Sequence, residues 1–230
     1  NALYLRIAAR FAEPSIVQND LVIPYTAAGE YPASVISQKG RILFDLSRRG
    51  LSTADFCLLS SAAYHLPPEE RRKHLREAVH DLEILTGRKL ENPDDPLLIA
   101  VRSALPEYFP GFMPTYLNVG LTPAVFKGLP RRYGKEAAGL IRLNNRKTIL
   151  EALDPEAFAP IEKEIHPSLH PARTRELTEA VEALIARRNP ELLTSAAAQL
   201  EFFQEKAYAY YETHLEEFEL GGRRRQELRV

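Results

Sequence analysis

Arg102 and Ser103 follow the apolar run Leu97-Leu98-Ile99-Ala100-Val101 and precede a loop containing Pro110 and Gly111. A cation and a hydroxyl therefore arrive together at the end of a strand, where α/β architectures commonly place phosphate-binding groups. Lys39 and Gly40 stand ahead of the helical pattern of residues 41–50. A helix N-terminus offers free backbone N–H groups and the positive end of the dipole, and a lysine there adds a mobile charge. Arg142 and Arg146 lie four apart on one face of the pattern at 133–153 and could supply a second cationic contact. Plainer readings stand beside these: Arg102 as a strand-end arginine serving loop carbonyls, Lys39 as a solvated side chain, and the later arginines as a solvated pair.

The elements that must position these residues follow from pattern. Residues 97–101 read as a strand buried on both faces, supporting Arg102. Shorter strands are expected at 21–23, closed by Pro24, and at 56–59. Residues 41–50 read as a helix with Ile42, Leu43 and Leu46 on one face, Arg48 and Arg49 at the negative end of its dipole and Gly50 as its stop. Pro67-Pro68-Glu69-Glu70 opens a helix to about residue 85, with Leu75, Val79 and Leu82 as its apolar stripe and Gly87 ending it. Thr122-Pro123 is an N-cap followed by proline at the first helical position, starting a helix to about residue 129. Residues 154–171 hold four prolines and read as an ordered linker. A helix over 174–188 and a long one over 192–220 follow, with Phe202, Phe203, Tyr208, Tyr210 and Tyr211 as core rather than a nucleobase platform. Residues 3–11 carry no assigned role, and Arg223-Arg224-Arg225 reads as a solvated tail. The fold class expected is α+β, with a small mixed sheet in the first half packed by helices and a helical C-terminal half.

Composition narrows the function. Thirty Lys and Arg against 31 Asp and Glu give a formal net charge of −1, which argues against binding nucleic acid through bulk electrostatics. The single cysteine, Cys57, excludes an internal disulfide or a cysteine-based zinc site, and its apolar neighbours make it a buried structural thiol. No apolar run approaches the roughly 18 residues that span a bilayer. His74 and His80, six apart, do not share a helix face. His166 and His170 are four apart, but Pro167 and Pro171 oppose a regular helix there. Asp94 and Asp95 sit in a proline-bracketed turn, where acids cap or are solvated. The opening Asn1-Ala2 reads as a remnant of tag cleavage on a domain excised from a longer protein.

The chemistry-bearing stretches resemble one family. Arg102-Ser103, Pro110-Gly111-Phe112-Met113, Thr115, Leu117-Asn118 and Gly120-Leu121 resemble, without a gap, a signature in the N-terminal nucleotide-binding domain of pyruvate, phosphate dikinase. That signature reads Val-Arg-Ser-Gly-Ala, then Met-Pro-Gly-Met-Met-Asp-Thr, then Leu-Asn-Leu-Gly-Leu. Lys39-Gly40, Leu43, Leu46, Gly50-Leu51 and Phe56 are similar to the domain's opening, Gly-Gly-Lys-Gly-x-x-Leu-x-x-Met followed by Gly-Leu-x-Val-Pro-x-Gly-Phe. The resemblance covers residues 37–153. It implies the first lobe of an ATP-grasp domain in a cytoplasmic phosphotransferase, using ATP with magnesium. Lys39, Gly40, Arg102, Ser103 and Arg142 would then contact the nucleotide. The family's magnesium-binding acids come from a later segment with no match here, so a second lobe would come from the rest of a larger protein or from a partner.

The family pattern is broken at four places: Ser37-Gln38 replaces the glycine pair, Thr53-Ala54-Asp55 the Pro-x-Gly, Ala104 a glycine and Pro114 an aspartate. These departures leave a second reading open, a non-catalytic structural or protein-interaction module derived from that fold. On either reading residues 1–153 form the lobe and 154–230 a helical extension packed on it, with no membrane or nucleic-acid partner.

Overall fold

The computed structural model describes residues 16–17, 19–103, 113–166 and 170–214. These fall into two compact units, one drawn from Asn1–Arg88, Arg102–Thr115 and Gln204–Val230, the other from Lys89–Val101 and Tyr116–Phe203. The fold class is α+β with a helical C-terminal half, as expected. Its strands form two two-stranded sheets, β1 (Val22–Pro24) with β2 (Cys57–Leu59), and β3 (Ile99–Arg102) with β4 (Thr115–Val119).

In the first unit β1 and β2 pair antiparallel, Ile23 opposite Leu58, and Pro24 takes the last place of its short strand. Asn19 prepares this pairing by accepting the Leu21 and Val22 amides at 2.8 and 2.9 Å, a turn that needs only one side chain. Against the sheet lie α1 (Ala33–Arg48), the single turn α2 (Ser61–Tyr64) and α3 (Pro68–Thr86). Ile23, Ala27, Ile36 and Phe44 make the core, and the Phe56 ring meets Phe44 edge-on at 5.1 Å.

The buried faces differ from the expected stripes. Ile42 is 55% exposed, and α1 buries Ile36, Gly40 and Phe44 instead. The helix is kinked at Ser37, described below. On α3 the buried residues are Leu75, Ala78 and Asp81 rather than the Leu75-Val79-Leu82 stripe. Asp81 is fully buried; its Oδ1 accepts the Val17 amide at 2.7 Å and its Oδ2 has no partner. Burial holds the Asp81 carboxyl above the usual range, the Val17 bond opposing. Cys57 is half-buried rather than buried, and burial and the nearby Asp81 charge push its thiol up, which disfavours the reactive thiolate.

Gly50 and Gly87 act as stops, at φ 73° and 69°. Leu51 N–H reaches Leu46 O and Gly50 N–H reaches Ser47 O, the paired bonds of a Schellman motif. Arg48 stands in the last turn of α1, at the negative end of its dipole as expected. It donates to the Ala27 and Gly29 carbonyls and tethers the loop between β1 and α1.

The second unit is built on α4 (Pro123–Tyr133), α5 (Lys135–Leu153), α6 (Pro155–Glu162), α7 (Pro171–Arg188), the turn α8 (Glu191–Thr194) and the first half of α9 (Ala196–Thr213). Thr122 caps α4 as its sequence predicts, its hydroxyl accepting the Val125 amide. The helix runs through Pro130 to Tyr133. Residues 155–162 are helical where a linker is expected: Asp154 accepts the Ala157 amide and Pro155 takes the first helical position. His170 caps α7 by accepting the Ala172 amide, which explains this histidine without a metal. The long terminal helix is broken at Ser195, whose hydroxyl accepts the Ala198 amide and restarts the helix as α9.

Leu121, Val125, Leu129 and Ala138 form one core cluster, and Phe203 stacks on Tyr116 at 4.4 Å. In the first unit Tyr208 and Tyr211 are buried against Tyr64, so with Phe203 three of the five aromatics are core as expected, while Phe202 and Tyr210 are half-buried. Residues 3–11, the Pro110-Gly111-Phe112 segment, the end of the long helix at 215–220 and the Arg223-Arg224-Arg225 run lie outside the described residues.

Candidate functional site

Lys39 and Gly40 do lie at a helix N-terminus, one formed inside α1. Ser37 breaks the helix with φ 65° and ψ 165°, a region that side-chain-bearing residues rarely occupy. Its hydroxyl accepts the Gly40 amide at 3.1 Å, capping the helix that restarts there. Gly40 lies close to β2: an added Cβ would stand 3.0 Å from Leu58 Cδ1, a tight contact that the leucine side chain would have to yield to. Lys39 is exposed and has no acidic partner among the described residues.

Strain and cap oppose each other at Ser37, and two substitutions separate them. Ser37→Ala keeps the strain and loses the cap, and is expected to cost about 1 kcal/mol. Ser37→Gly loses the cap and relieves a strain of about 1–3 kcal/mol, and is expected to match or exceed the wild type in urea denaturation. Equal losses in the two variants would show that Ser37 is not strained.

The second candidate pair sits at the end of β3. This strand is not buried on both faces: Ala100 and Arg102 are exposed and Val101 is buried. The strand belongs to a two-stranded sheet, which leaves one side to solvent. Arg102 is exposed, with no carboxylate or carbonyl partner among the described residues; the loop 104–112, whose carbonyls it would serve on the plainer reading, lies outside them. Ser103 beside it is 8% exposed, and its Oγ has no hydrogen-bond partner among the described residues. A buried hydroxyl without a partner costs roughly 1–3 kcal/mol, and such a group in a folded protein calls for a ligand or water.

Arg142 and Arg146 are placed differently from either expectation. Arg142 grips Glu182 with Nε at 3.0 Å and Nη2 at 2.6 Å, and stacks over Phe126 at 4.8 Å. Arg146 is 1% exposed and gives its Nε to the same carboxylate at 2.8 Å, its Nη1 to Leu121 O and Asn145 Oδ1, and its Nη2 to Leu193 O. Burial alone would raise the Glu182 carboxyl; the hydrogen bonds and charges of the two arginines outweigh it and hold the group below the usual range. Burial lowers the Arg146 guanidinium, and Glu182 opposes that shift.

Arg146 belongs to a polar hub that sequence spacing does not reveal. Asn118 takes φ 56° and Gly120 φ 100°, giving the turn after β4 its shape. Asn145 Nδ2 donates to Asn118 O, Gln199 Oε1 accepts from Gly120 N, and Gln199 Nε2 donates to Leu121 O and Leu192 O. The hub therefore holds the backbone of the Asn118-Val119-Gly120-Leu121 motif. The only sequence signal was the presence of amide side chains at otherwise apolar helix positions.

Asp94 and Asp95 form ion pairs with Arg131 and Arg132. Among the described residues no group of three or more His, Cys, Asp or Glu is placed to hold a metal ion. None of their helices is long and apolar enough to cross a membrane. Among the described residues the arrangement offers two cations without ion-pair partners, Lys39 and Arg102, and one buried hydroxyl without a hydrogen-bond partner, Ser103. These suit an anionic ligand and supply no general base.

No protein-family model matches this chain. Among curated proteins, it is 32% identical over 112 residues to pyruvate, phosphate dikinase 1 of Arabidopsis thaliana, which is 46% of this chain and 12% of that protein. It is 38% identical over 66 residues to the pyruvate, phosphate dikinase of Clostridium symbiosum, 29% of this chain and 8% of the relative. Part of this chain is related to pyruvate, phosphate dikinase. The Rickettsia conorii pyruvate, phosphate dikinase matches at 28% over 114 residues, again 46% of the chain. The matched segments span about an eighth or less of each of these dikinases.

Proposed function

We propose that this chain is the triphosphate-contacting lobe of a dikinase-like phosphotransferase in the cytoplasm, with Lys39 and Arg102 as its cations. The observation that carries this reading is Arg102, exposed and without an ion-pair partner among the described residues, beside the buried Ser103 hydroxyl, which has no partner among them either. Phosphoryl transfer is catalysed by positioning and by cations set against the phosphate oxygens, which is what this pair and Lys39 supply. The 112-residue match to a dikinase, comparable in length to the 37–153 stretch that carries both motifs, supports the same reading.

Ser103 would accept or donate a hydrogen bond at the phosphate or its metal-bound water, and Gly40 would keep the helix N-terminus low against β2. Magnesium bound with ATP would neutralise phosphate charge, its carboxylate ligands coming from a second lobe in a longer protein or a partner. Arg142 fits the role less well than the other four residues, because Glu182 already occupies two of its donors. Catalysis by the isolated chain is not part of the proposal.

Calorimetry with ATP and magnesium on the full-length protein tests it. Arg102→Ala is expected to weaken binding by about 1.5–3 kcal/mol, the scale of hydrogen bonds to a charged group, with the thermal midpoint unchanged. Absence of nucleotide binding by the unaltered full-length protein would sink the reading.

One observation favours the second reading, a non-catalytic interaction module: the Ser37 hydroxyl already occupies the Gly40 amide that a phosphate would use. Biological activity that survives the double substitution Lys39→Ala, Arg102→Ala would decide for it.

A further inference from the structure

A cleft of about 830 Å³ opens in the second unit between α4, α5 and α7. Its floor is made small by Gly139, Thr174 and Thr178, and Arg142 stands in its wall. The Arg142 guanidinium is immobilised by its fork on Glu182 and by the Phe126 ring, and its Nη1 has no acceptor among the described residues. Glu182 does not cancel this charge, because the same carboxylate also answers Arg146. The triad of two arginines and one glutamate keeps one net positive charge, fixed in orientation before any ligand arrives.

The cleft's lining carries four more charged residues. Lys135 and Arg175 are exposed cations, and Glu136 and Glu179 are exposed acids; none of the four has an ion-pair partner among the described residues. The lining is positive on balance. The Thr174 and Thr178 hydroxyls donate to the His170 and Thr174 carbonyls, so toward the cleft they offer only acceptor lone pairs.

We infer that this cleft binds a small organic anion carrying hydroxyl groups, its charge held by Arg142 Nη1, Lys135 and Arg175 and its hydroxyls donating to Glu136, Glu179 and the threonines. The anionic group and the hydroxyls are both required. A bare anion leaves the two acids facing it, and a neutral polyol leaves three cations unanswered. A guanidinium already held flat by a carboxylate and a ring loses little freedom on binding, which favours a planar or tetrahedral oxyanion over a halide.

The site is independent of Lys39 and Arg102, and the test separates them. Glycerol 3-phosphate, inorganic phosphate and glycerol are titrated into the full chain, with amide chemical shifts as the readout. Glycerol 3-phosphate is expected to bind at least about tenfold more tightly than inorganic phosphate, a difference of about 1.4 kcal/mol. Lys135→Ala with Arg175→Ala, both exposed and safe for folding, should weaken it by about tenfold or more. Lys39→Ala with Arg102→Ala should leave it unchanged. Arg142→Lys, which keeps the charge and loses the fork, should weaken it with the thermal midpoint monitored alongside. The inference is overturned if the unaltered chain shows no shifts. It is equally overturned if inorganic phosphate binds as well, if both double variants weaken binding equally, or if only the Lys39 and Arg102 pair matters.

Discussion

Replacing Arg146 by alanine is expected to cost about 3–5 kcal/mol of folding stability, the largest loss of any substitution of a side chain outside the core. The physical reason is that the guanidinium is 1% exposed and serves four acceptors at once: Glu182, Leu121 O, Asn145 Oδ1 and Leu193 O. Removal leaves a void and takes the donor from Asn145 Oδ1 and Leu193 O, each loss worth roughly 1–3 kcal/mol, while Leu121 O keeps Gln199 Nε2. Arg142 still holds Glu182, so the carboxylate itself does not become an isolated buried charge.

The loss should depend on pH. Arg142 and Arg146 hold the Glu182 carboxyl below the usual range, so its contribution is fully present above the ordinary carboxylate pKa and fades as pH falls through the depressed folded value. The gap between wild type and Arg146→Ala, read by urea denaturation, should therefore be widest near neutrality and narrow toward about pH 3. A gap that stays constant over that range would remove the electrostatic part of the account.

Gly128→Ala is expected to destabilise the second unit by on the order of 3 kcal/mol, against the usual rule for a helix interior. Alanine normally gains about 1 kcal/mol over glycine there. At this position the Pro93 carbonyl oxygen lies 1.6 Å, and its carbon 2.7 Å, from where a Cβ would stand. The turn of residues 92–96 thus rests directly on α4, clipped on its outer side by the Asp94–Arg131 and Asp95–Arg132 ion pairs. Those pairs are exposed to solvent and contribute little by themselves. The backbone contact permitted by glycine holds the turn. Gly139→Ala on α5 is the matching control, because its added Cβ would meet Thr174 Cγ2 at an ordinary 3.7 Å. It should be neutral or slightly stabilising, and a loss equal to that of Gly128→Ala would show that helix propensity, not the Pro93 contact, is being measured.

Signals confined to a few neighbouring residues were legible in the sequence. Thr122-Pro123 begins α4, and Gly50 and Gly87 end α1 and α3. Caps and stops are short-range chemistry, one side chain answering an amide two or three residues away. The same chemistry accounts for the helix missed at Asp154-Pro155 and for the break at Ser195, where apolar periodicity on both sides hid a capping hydroxyl. The inward faces were less legible. On α1 Phe44 turns inward and Ile42 outward, and the spacing of leucines does not encode which side of the helix meets the sheet.

The candidate site divides along the same line. The order of residues alone determined that a lysine would stand at a helix N-terminus and an arginine with a serine at a strand end. Only the tertiary structure decided which cations remain available. Arg142 and Arg146 meet a glutamate some forty residues away across the packing of α5 on α7, while Lys39 and Arg102 have no acidic partner among the described residues. Spacing along a helix says which residues share a face. It cannot say what faces them, because that partner is chosen by packing between segments distant in the chain.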